Sequence, residues 1–452
     1  MAGVLDPEFT RAILERLAAA NRQFAADYPG ERADRHPVHT VYGGAHLFKA
    51  DTAPRMGAAA LETLKEHAPE PADFAHALGF AGGARLARTL YTRVIDKLRR
   101  EPVEDFRIDF EDGYGNRPDA EEDGHAASAA AEVARGMKED TLPPFIGIRI
   151  KPLSDELAER SLRTLDLFVT TLVSRTGGRL PSGFAVTLAK VTRPEQIAAL
   201  VEALDQLERS HHLEPRSIAL ELMIETPQSV IDPRGGPGIP ALVAAAAGRC
   251  RGAHFGTYDY TAGLAITAMH QQPDHPACDF ARHVLQASLA GTGVTISDGA
   301  TNVMPVAPHA AAEGRELTDA EREENRRVVH RAWKIHFDDV RRSLRDAYYQ
   351  SWDLHPGQLP SRYAAVFSFY LEARAAAAER LSRFVERAAQ ATLVGDVFDD
   401  AATGQGLLNF FLRGLGCGAL TAAEAAATGL TMKELTMRSF VKILKARREK
   451  AR

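Results

Sequence analysis

The sequence predicts an α/β fold, a (β/α)₈ barrel of the TIM type followed by a C-terminal helical extension. Eight short apolar segments alternate with amphipathic helical segments, which is the pattern of a parallel barrel. Polar residues recur at the C-terminal ends of these segments, where barrel enzymes carry their catalytic groups. An open doubly wound sheet is the main alternative. No Gly-x-Gly-x-x-Gly follows the first strand, which argues against a dinucleotide-binding fold.

The predicted strands are short apolar segments bounded by glycine, proline or charged residues. In chain order they are Val38–Tyr42, Phe106–Asp112, Phe145–Pro152, Phe184–Lys190, Ile218–Glu225, Ala253–Tyr258, Val294–Ser297 and Ser351–His355. Apolar residues at helical spacing predict helices around and between the strands, over 7–28, 54–69, 73–100, 120–137, 154–175, from 192 onward, 239–248, 276–290 and 318–348. Thr318 and Glu321 form a capping box that places the start of the last helix.

The composition changes after Gly357, where the chain becomes rich in alanine and helical in pattern. We therefore predict a catalytic barrel domain over residues 1–360 and a helical C-terminal region over residues 361–452. This region is expected to act as a lid or as a contact between subunits.

The composition excludes several classes of function. The chain has 452 residues and a net charge of -5, so it has no basic excess with which to neutralise nucleic-acid phosphates. Its three cysteines are widely spaced and form no metal-binding pattern, which indicates a reducing compartment. The first residues do not resemble a signal peptide, and no apolar run is long enough to span a membrane. We predict a cytoplasmic enzyme with no membrane association.

Two neighbouring strands are predicted to end in carboxylates. Glu225 ends the fifth strand, just before Pro227, and Asp259 follows the sixth strand about one βα unit later. In a parallel sheet these carboxylates would lie side by side at one rim. Two hard oxygen ligands, with room for water and substrate, suit Mg²⁺, and Mn²⁺ is a second candidate. The alternative is that Glu225 caps a turn and Asp259 caps a helix.

Cationic residues near the ends of the third and fourth strands are candidates for catalysis. Arg149 could hold a substrate carboxylate through two hydrogen bonds and could face an enolate oxygen. A buried ion pair with Glu111 or Asp112 is the alternative for this arginine. Lys190 could add positive charge to the site, or it could pair with Glu225 or Glu221.

The second strand is predicted to end in a cluster of carboxylates. If the strand stays regular, Asp109 and Glu111 share one face and Asp112 takes the other. All three could orient Arg149 or bind metal-bound water, and Glu111 and Asp112 are candidate catalytic residues, one of which could transfer a proton. His355, at the end of the eighth strand, is a candidate substrate-binding residue. A structural role is the alternative for each of them.

Six motifs along residues 36–360 together resemble the citrate lyase β-subunit / malyl-CoA lyase / HpcH–HpaI aldolase superfamily. They are Ile108-Asp-Phe-Glu-Asp112, Ile148-Arg-Ile150, Leu188-Ala-Lys-Val191 with Pro194-Glu-Gln196, Ile224-Glu-Thr-Pro227, Gly256-Thr-Tyr-Asp-Tyr260 and Leu354-His-Pro-Gly-Gln358. The resemblance implies a barrel, Mg²⁺ on Glu225 and Asp259, an anion-binding Arg149, and a homo-oligomer, either a trimer or a hexamer.

The sequence departs from the superfamily at two places: the end of the first strand, and the link after the second strand, where Gly113-Tyr-Gly-Asn-Arg117 and a longer acidic insert replace a short connection. The first strand ends in Val41-Tyr-Gly-Gly44 instead of Val-Pro-Gly, so the use of CoA stays open. Candidates for a C-terminal catalytic aspartate are Asp396, Asp399 and Asp400.

These observations lead to one main hypothesis, a Mg²⁺-dependent carbon–carbon lyase or aldolase that acts through an enolate. Its substrate would be a small carboxylic acid, either a 2-oxo acid or a β-hydroxy acid, free or as its CoA thioester. Two alternatives stay open: an acyl-CoA thioester hydrolase on the same scaffold, and a non-catalytic barrel that binds a metabolite.

Overall fold

The structure, a computed structural model, describes residues 4–32, 34–311, 315–390 and 397–450. The strands are β1 (His39–Gly44), β2 (Asp105–Asp109), β3 (Phe145–Ile150), β4 (Ala185–Leu188), β5 (Ala219–Ile224), β6 (Cys250–Phe255), β7 (Thr295–Ser297) and β8 (Ser351–Asp353). The helices are α1 (Pro7–Asp27), α2 (Thr52–His67), α3 (Pro71–Leu78), α4 (Gly83–Arg100), α5 (Asp119–Glu139), α6 (Ala158–Thr176), α7 (Pro194–Ser210), α8 (Pro227–Val230), α9 (Ile239–Ala245), α10 (Thr257–Gly263), α11 (Pro276–Leu289), α12 (Asp319–Arg345), α13 (Leu359–Gln390), α14 (Val397–Gly416), α15 (Ala422–Ala426), α16 (Met432–Leu435) and α17 (Phe440–Lys450).

The eight strands form one parallel sheet in the order β7-β6-β5-β4-β3-β2-β1-β8. The residues that follow β7 pair with β8 and join the two edges: Asp298 N–H donates to the Gln350 carbonyl at 2.8 Å, and Ala300 forms a parallel bridge with Trp352. The helices cover the outside, so both faces of the strands are buried, which explains why the strands read as nearly continuous apolar runs. The predicted (β/α)₈ barrel with a C-terminal helical extension is confirmed.

The inside of the barrel is layered. Toward the N-terminal mouth, the Arg107 guanidinium lies inside the barrel and donates to Glu221 at 2.6 and 2.9 Å, with Asp105 as its second acidic partner. Above this charged layer lies an apolar layer from β1, β4, β5, β7 and β8, formed by Tyr42, Ala189, Met223, Ala300 and Trp352. The apolar layer separates the buried ion pairs from the charged groups at the C-terminal mouth.

Helix α13 is both the eighth helix of the barrel and the start of the C-terminal helical region. It follows β8 and packs against α4 and α12. In its first turn Arg362 donates to the Asp353 carboxylate of β8 at 2.8 Å. The same carboxylate contacts His39 Nδ1 at 2.6 Å and His336 Nε2 at 3.0 Å. The region that the sequence places from residue 361 onward therefore begins within the barrel wall. Its role as a lid or subunit contact stays a prediction.

Three predicted elements have different boundaries in the structure. The helix expected over 73–100 is divided into α3 and α4, because Gly79 ends α3 in the left-handed conformation at a φ of 62°. Strand β2 ends at Asp109, because its carboxylate accepts hydrogen bonds from the N–H groups of Glu111 (2.9 Å) and Gly113 (2.7 Å) and turns the chain. Strand β6 ends at Phe255, four residues before the carboxylate that was expected to end it.

Helix α1 lies on the surface and buries none of its residues. Large apolar side chains on it are exposed, among them Leu14 and Leu17. Within the described ranges, α1 included, no helix combines the length and the apolar character needed to cross a membrane.

Candidate active site

The predicted catalytic and metal-binding residues meet at the C-terminal mouth of the barrel. Glu225 directly follows β5, and Lys190 follows β4 by two residues. Glu111 and Asp112 lie in the turn after β2, and Arg149 is the penultimate residue of β3. Parallel strands end at the same mouth, which is why these positions converge although they are far apart in the sequence.

Lys190 connects the carboxylates of this site. Its backbone N–H donates to Glu225 Oε1 at 2.7 Å. Its ammonium group donates to Glu111 Oε1 and to Asp112 Oδ1 (3.0 Å) and lies 3.6 Å from Asp259 Oδ2. Burial lowers the pKa of Lys190, but the attraction of these carboxylates, Glu111 first, outweighs burial and raises it. The lysine therefore stays charged. Its φ of 48° is a left-handed backbone conformation that β-carbon sterics disfavour, as often occurs at functional sites.

Glu225 is almost fully buried, with 1% of its surface exposed. Burial, followed by repulsion from the Asp259 carboxylate, raises its pKa to about 8. Gly256, after β6, makes room for it, because a β-carbon at that position would lie 2.5 Å from Glu225 Oε2. The sequence prediction that this carboxylate ends a buried strand at the mouth agrees with the structure.

Asp259 lies in the first turn of α10, so the prediction that it ends a strand is wrong. Strand β6 stops at Phe255, and the chain turns into the helix at Gly256. The side chain still reaches the mouth, about 40% exposed, because the connection after β6 starts there. A carboxylate in the first turn of a helix is also favoured by the helix dipole, as the capping alternative supposed. The two predicted metal ligands both contact Lys190.

Arg149 is paired with Asp109, one of the three carboxylates that the sequence offers for orienting it, although the predicted buried ion pair named only Glu111 and Asp112. Its Nε and Nη2 donate to the two oxygens of Asp109 at 2.7 and 2.5 Å, and its Nη1 lies 3.4 Å from Glu111 Oε2. The guanidinium lies over the ring of Tyr42, 4.7 Å from its centroid. One bidentate edge of the arginine is therefore occupied, and only the edge formed by Nη1 and Nη2 remains for a ligand.

The two carboxylates after β2 differ in proton affinity. Burial raises the pKa of Glu111. Burial also acts on Asp112, but its hydrogen bond with Glu111 and the charge of Lys190 outweigh burial and lower its pKa. Glu111 therefore binds a proton more readily than Asp112.

The charge balance of the mouth fits a divalent cation. Five carboxylates face two cationic groups there: Asp109, Glu111, Asp112, Glu225 and Asp259 against Arg149 and Lys190. Across the described ranges, no three histidine, cysteine, aspartate or glutamate side chains form a ready-made metal site. The protein would therefore offer two carboxylates and leave the other positions to water and substrate, a set that suits Mg²⁺.

Comparison with known proteins places the chain in a family. A family model described as a domain of unknown function, DUF6986, matches residues 17–443. The chain belongs to this family. The match runs from within α1 to within α17, so the family shares the barrel and the helices that follow it. A search of curated proteins found no match.

Several solved structures are similar to this member of the DUF6986 family. A citrate lyase from Burkholderia xenovorans LB400 is 18% identical with a TM-score of 0.49, over 77% of this chain and 94% of that one. The malate synthase of Haloferax volcanii is 14% identical with a TM-score of 0.45, over 93% and 99%. An HpcH/HpaI aldolase/citrate lyase family protein from Burkholderia cenocepacia J2315 is 12% identical with a TM-score of 0.38, over 78% and 99%. Two of these proteins, the citrate lyase and the HpcH/HpaI aldolase/citrate lyase family protein, come from the superfamily that the motifs resemble.

Among the described residues of this DUF6986 chain, His355 is the one remaining candidate, and it bonds within its own turn and not with the charged cluster. His355 caps the short turn Pro356–Gln358, where its Nδ1 accepts a hydrogen bond from the Gly357 N–H at 3.1 Å, and burial lowers its pKa. Its role in substrate binding stays a prediction. Asp396 lies outside the described residues, and so do the side chains of Asp399 and Asp400.

Sequence reasoning assigned no role to Thr257, which precedes Asp259 by two residues. Its hydroxyl is buried and has no hydrogen-bond partner among the described residues. The ring nitrogen Nδ1 of His46, just after β1, is also buried and has no hydrogen-bond partner among the described residues. Unpartnered buried polar groups are costly and uncommon, so each of these two atoms marks a position where a ligand atom or a water would gain a hydrogen bond. No spacing in the sequence signals either of them.

A cavity of about 480 Å³ lies outside the barrel, between α2, α3 and α12. Its lining residues are His67, Pro69, Asp73, His76, Glu323, Arg326, Arg327 and His330. Two arginines there balance two carboxylates, and burial lowers the pKa of the two more buried histidines, His67 and His330. The cavity therefore lacks the charge excess of the mouth, and the candidate active site is the mouth.

Proposed function

We propose that this protein is a divalent-cation-dependent carbon–carbon lyase or aldolase that acts through an enolate on a 2-oxo acid or a β-hydroxy acid. The observation that carries the proposal is the contact of one residue, Lys190, with both Glu225 and Asp259 at the C-terminal mouth. Buried carboxylates beside fixed cationic groups suit reactions in which negative charge develops on a substrate oxygen.

Glu225 and Asp259 would hold the cation, with Mg²⁺ as the first candidate and Mn²⁺ as the second. When bound, it would supply positive charge that polarises the carboxylate and the neighbouring oxygen of the substrate. The raised pKa of Glu225 supports this assignment, because burial outweighs the opposing charges of Arg149 and Lys190, and a bound cation would offset that burial.

Arg149 would stabilise negative charge on the substrate. Asp109 fixes the guanidinium through two hydrogen bonds, and the Tyr42 ring supports it from one side. A preoriented positive charge stabilises a developing oxyanion without having to reorganise during the reaction. The two hydrogen bonds predicted between Arg149 and a substrate carboxylate would have to come from Nη1 and Nη2.

Glu111 would hold and return the proton that moves when the carbon–carbon bond is made or broken. Its pKa is raised by burial toward the range in which a carboxyl group can act as acid and as base. The neighbouring Lys190 keeps its charge and donates to Glu111 Oε1, so it would position this carboxyl group. Asp112, ionised and more exposed, would balance the charge of the lysine.

A substrate screen tests the proposal. Pyruvate, oxaloacetate and glyoxylate would each be incubated with aldehydes, with and without CoA thioesters and Mg²⁺, and products would be identified by NMR. Mg²⁺-dependent formation or cleavage of a carbon–carbon bond is expected. Release of thiol without a carbonyl product would indicate a thioester hydrolase, and binding without turnover would indicate a metabolite-binding barrel.

Matched variants tie any turnover to the site. Asp259→Asn removes one charge from the mouth, and Asp338→Asn makes the same chemical change at an exposed position of α12. Activity should fall at least about 100-fold in the first variant and stay unchanged in the second. Equal activity in both would contradict the proposed site.

A further inference from the structure

The C-terminal mouth has a charged half and an apolar half. The charged side chains come from the connections after β2, β4, β5 and β6 and from β3 itself. The connections after β7, β8 and β1 expose large apolar side chains: Val306 is 52% exposed, Leu354 is 40% exposed, and Leu47 is also exposed. The connection after β6, next to β7, carries Asp259 and also exposes Leu264 and Met269, so it borders both halves. Because the strand order places β7, β8 and β1 side by side in the closed barrel, these residues lie on one side of the mouth.

The floor beneath the mouth is apolar and aromatic. It is the layer of Tyr42, Ala189, Met223, Ala300 and Trp352. The indole N–H of Trp352 is satisfied by His254 Nδ1 at 3.2 Å, so this ring presents apolar surface. Tyr42 and Trp352 keep 7% and 9% of their surface exposed, more than the other three residues. Two of the five positions are alanine, which leaves more room above the floor than the bulky branched residues usual in barrels.

We propose that the substrate is amphipathic: a 2-oxo or β-hydroxy acid with an alkyl or aryl substituent, and not a small dicarboxylate. This inference rests on the proposed function, because its carboxylate end is placed at the charged half. The substituent would then extend over Trp352 toward Leu354 and Val306. Tyr42 of the floor contacts both the Arg149 guanidinium, 4.7 Å from its ring centroid, and the Trp352 ring, at a centroid distance of 4.8 Å. The floor therefore links the charged cluster to the apolar half, which is why the occupant is assigned as a substrate and not as a protein.

The hydrophobic effect gives the expected magnitude of the preference for a substrate with a longer alkyl chain. A fully buried methylene group strengthens binding about fourfold. Three added methylenes, partly buried against an open rim, should therefore strengthen binding about tenfold. A charged group at the end of the same chain would have to be desolvated on this surface and should cancel the gain.

Binding of three 2-oxo acids tests the inference. Pyruvate, 2-oxohexanoate and 2-oxoadipate would be titrated into the full-length protein with Mg²⁺ and followed by calorimetry and tryptophan fluorescence. The last two acids have the same chain length and differ only at the far end. The chain has two tryptophans, and Trp333 is fully buried, so a fluorescence change would report on Trp352 and should vanish in Trp352→Phe. We expect 2-oxohexanoate to bind about tenfold more tightly than pyruvate, and 2-oxoadipate no more tightly than pyruvate.

A matched pair of leucine variants locates the binding surface. Leu354→Ala should reduce the preference for 2-oxohexanoate over pyruvate about threefold. Leu14→Ala, the same change at an exposed leucine of α1, should leave it unchanged. A change of oligomeric state in Leu354→Ala alone, measured by light scattering, would show that a second copy covers this rim and would overturn the inference.

The outcomes separate the two proposals. Equal binding of pyruvate and 2-oxohexanoate, lost in Asp259→Asn, would overturn the amphipathic substrate and leave the proposed function standing. Tighter binding of 2-oxoadipate would also overturn the inference. If none of the three acids bound, both proposals would fail together.

Discussion

The backbone N–H of Lys190 donates a 2.7 Å hydrogen bond to Glu225 Oε1, and the ammonium group of the same residue lies 3.6 Å from Asp259. The lysine thus holds one carboxylate with its main chain and attracts the other with its side chain. A substitution that removes only the ammonium group would keep the first contact and lose the second. This separation makes Lys190 the most informative residue to change.

Lys190→Met should lower kcat at least about 100-fold and should not weaken the binding of Mg²⁺. The main-chain contact with Glu225 is kept, while a positive charge that repels the cation is lost. Titration with Mg²⁺ by calorimetry and steady-state kinetics would measure the two effects. Weaker Mg²⁺ binding in this variant would mean that the ammonium group organises the carboxylates instead of competing with the cation.

Glu225→Ala and Asp259→Ala should abolish the binding of divalent cations and leave the fold intact. Each removes one of the two carboxylates assigned as ligands. Binding of Mn²⁺ would be followed by electron paramagnetic resonance, and the fold by circular dichroism. Asp338→Ala on α12 provides the control, because it removes an exposed carboxylate that is part of an ordinary surface ion pair. Retained cation affinity in both site variants would refute the assignment.

The stability of the cation-free protein should fall as the pH rises from about 5 toward 8. The native pKa of Glu225, about 8, lies above the ordinary value of 4.5, so the folded protein holds this proton more tightly than the unfolded chain. Its contribution to stability is complete below pH 4.5 and is lost as the pH rises through 8. Urea unfolding in EDTA should therefore show that the free energy of unfolding of Glu225→Gln increases relative to that of the wild type as the pH rises. A constant difference between the two proteins would rule out the raised pKa.

Thr257→Val should leave the stability of the free protein unchanged or slightly raised, while weakening ligand binding about tenfold. The hydroxyl has no partner among the described residues, so removing it gives up no internal hydrogen bond. A ligand that uses the hydroxyl would lose one. Thermal unfolding and calorimetric titration with 2-oxo acids measure the two quantities. A clear loss of stability would show that the hydroxyl has a structural role.

Arg107→Met should destabilise the barrel by about 3–5 kcal/mol, because it leaves the buried carboxylates Asp105 and Glu221 without their cation. Arg383→Met, which breaks an exposed ion pair with Glu379, should change stability by less than about 0.5 kcal/mol. Urea unfolding compares the two. Similar effects would mean that the charged layer inside the barrel is hydrated and weakly coupled.

The eight strands were predictable because each is an apolar segment with a clear end. Glu225 could be placed for the same reason, since a buried run stops at this residue before a proline. The sequence predicts Asp259 at the correct mouth of the barrel, but on a strand instead of on helix α10. The mouth is the same because a βα connection starts where its strand ends. The fold follows from the apolar segments of the sequence, whereas the function depends on pairs of side chains that the sequence does not reveal.

The partner of Arg149 could not be predicted from spacing. Asp109 faces it because β2 and β3 pair with these two residues in register, and register follows from the packing of the whole sheet. The early end of β2 has a similar cause, since the Asp109 carboxylate captures two backbone N–H groups beyond it. Homo-oligomeric assembly, cytoplasmic location and the use of CoA stay predictions.

Helix α13 has a consequence for how this chain can be divided. Its first turn carries Arg362, the guanidinium that neutralises Asp353 in the barrel wall. A chain cut at residue 360 would keep that acid, together with His39 and His336, and discard its permanent counterion. The C-terminal region therefore cannot be exchanged or deleted as a separate unit, in evolution or in the laboratory, without disturbing the barrel wall. Any shortened version of the protein should end well beyond the first turns of α13.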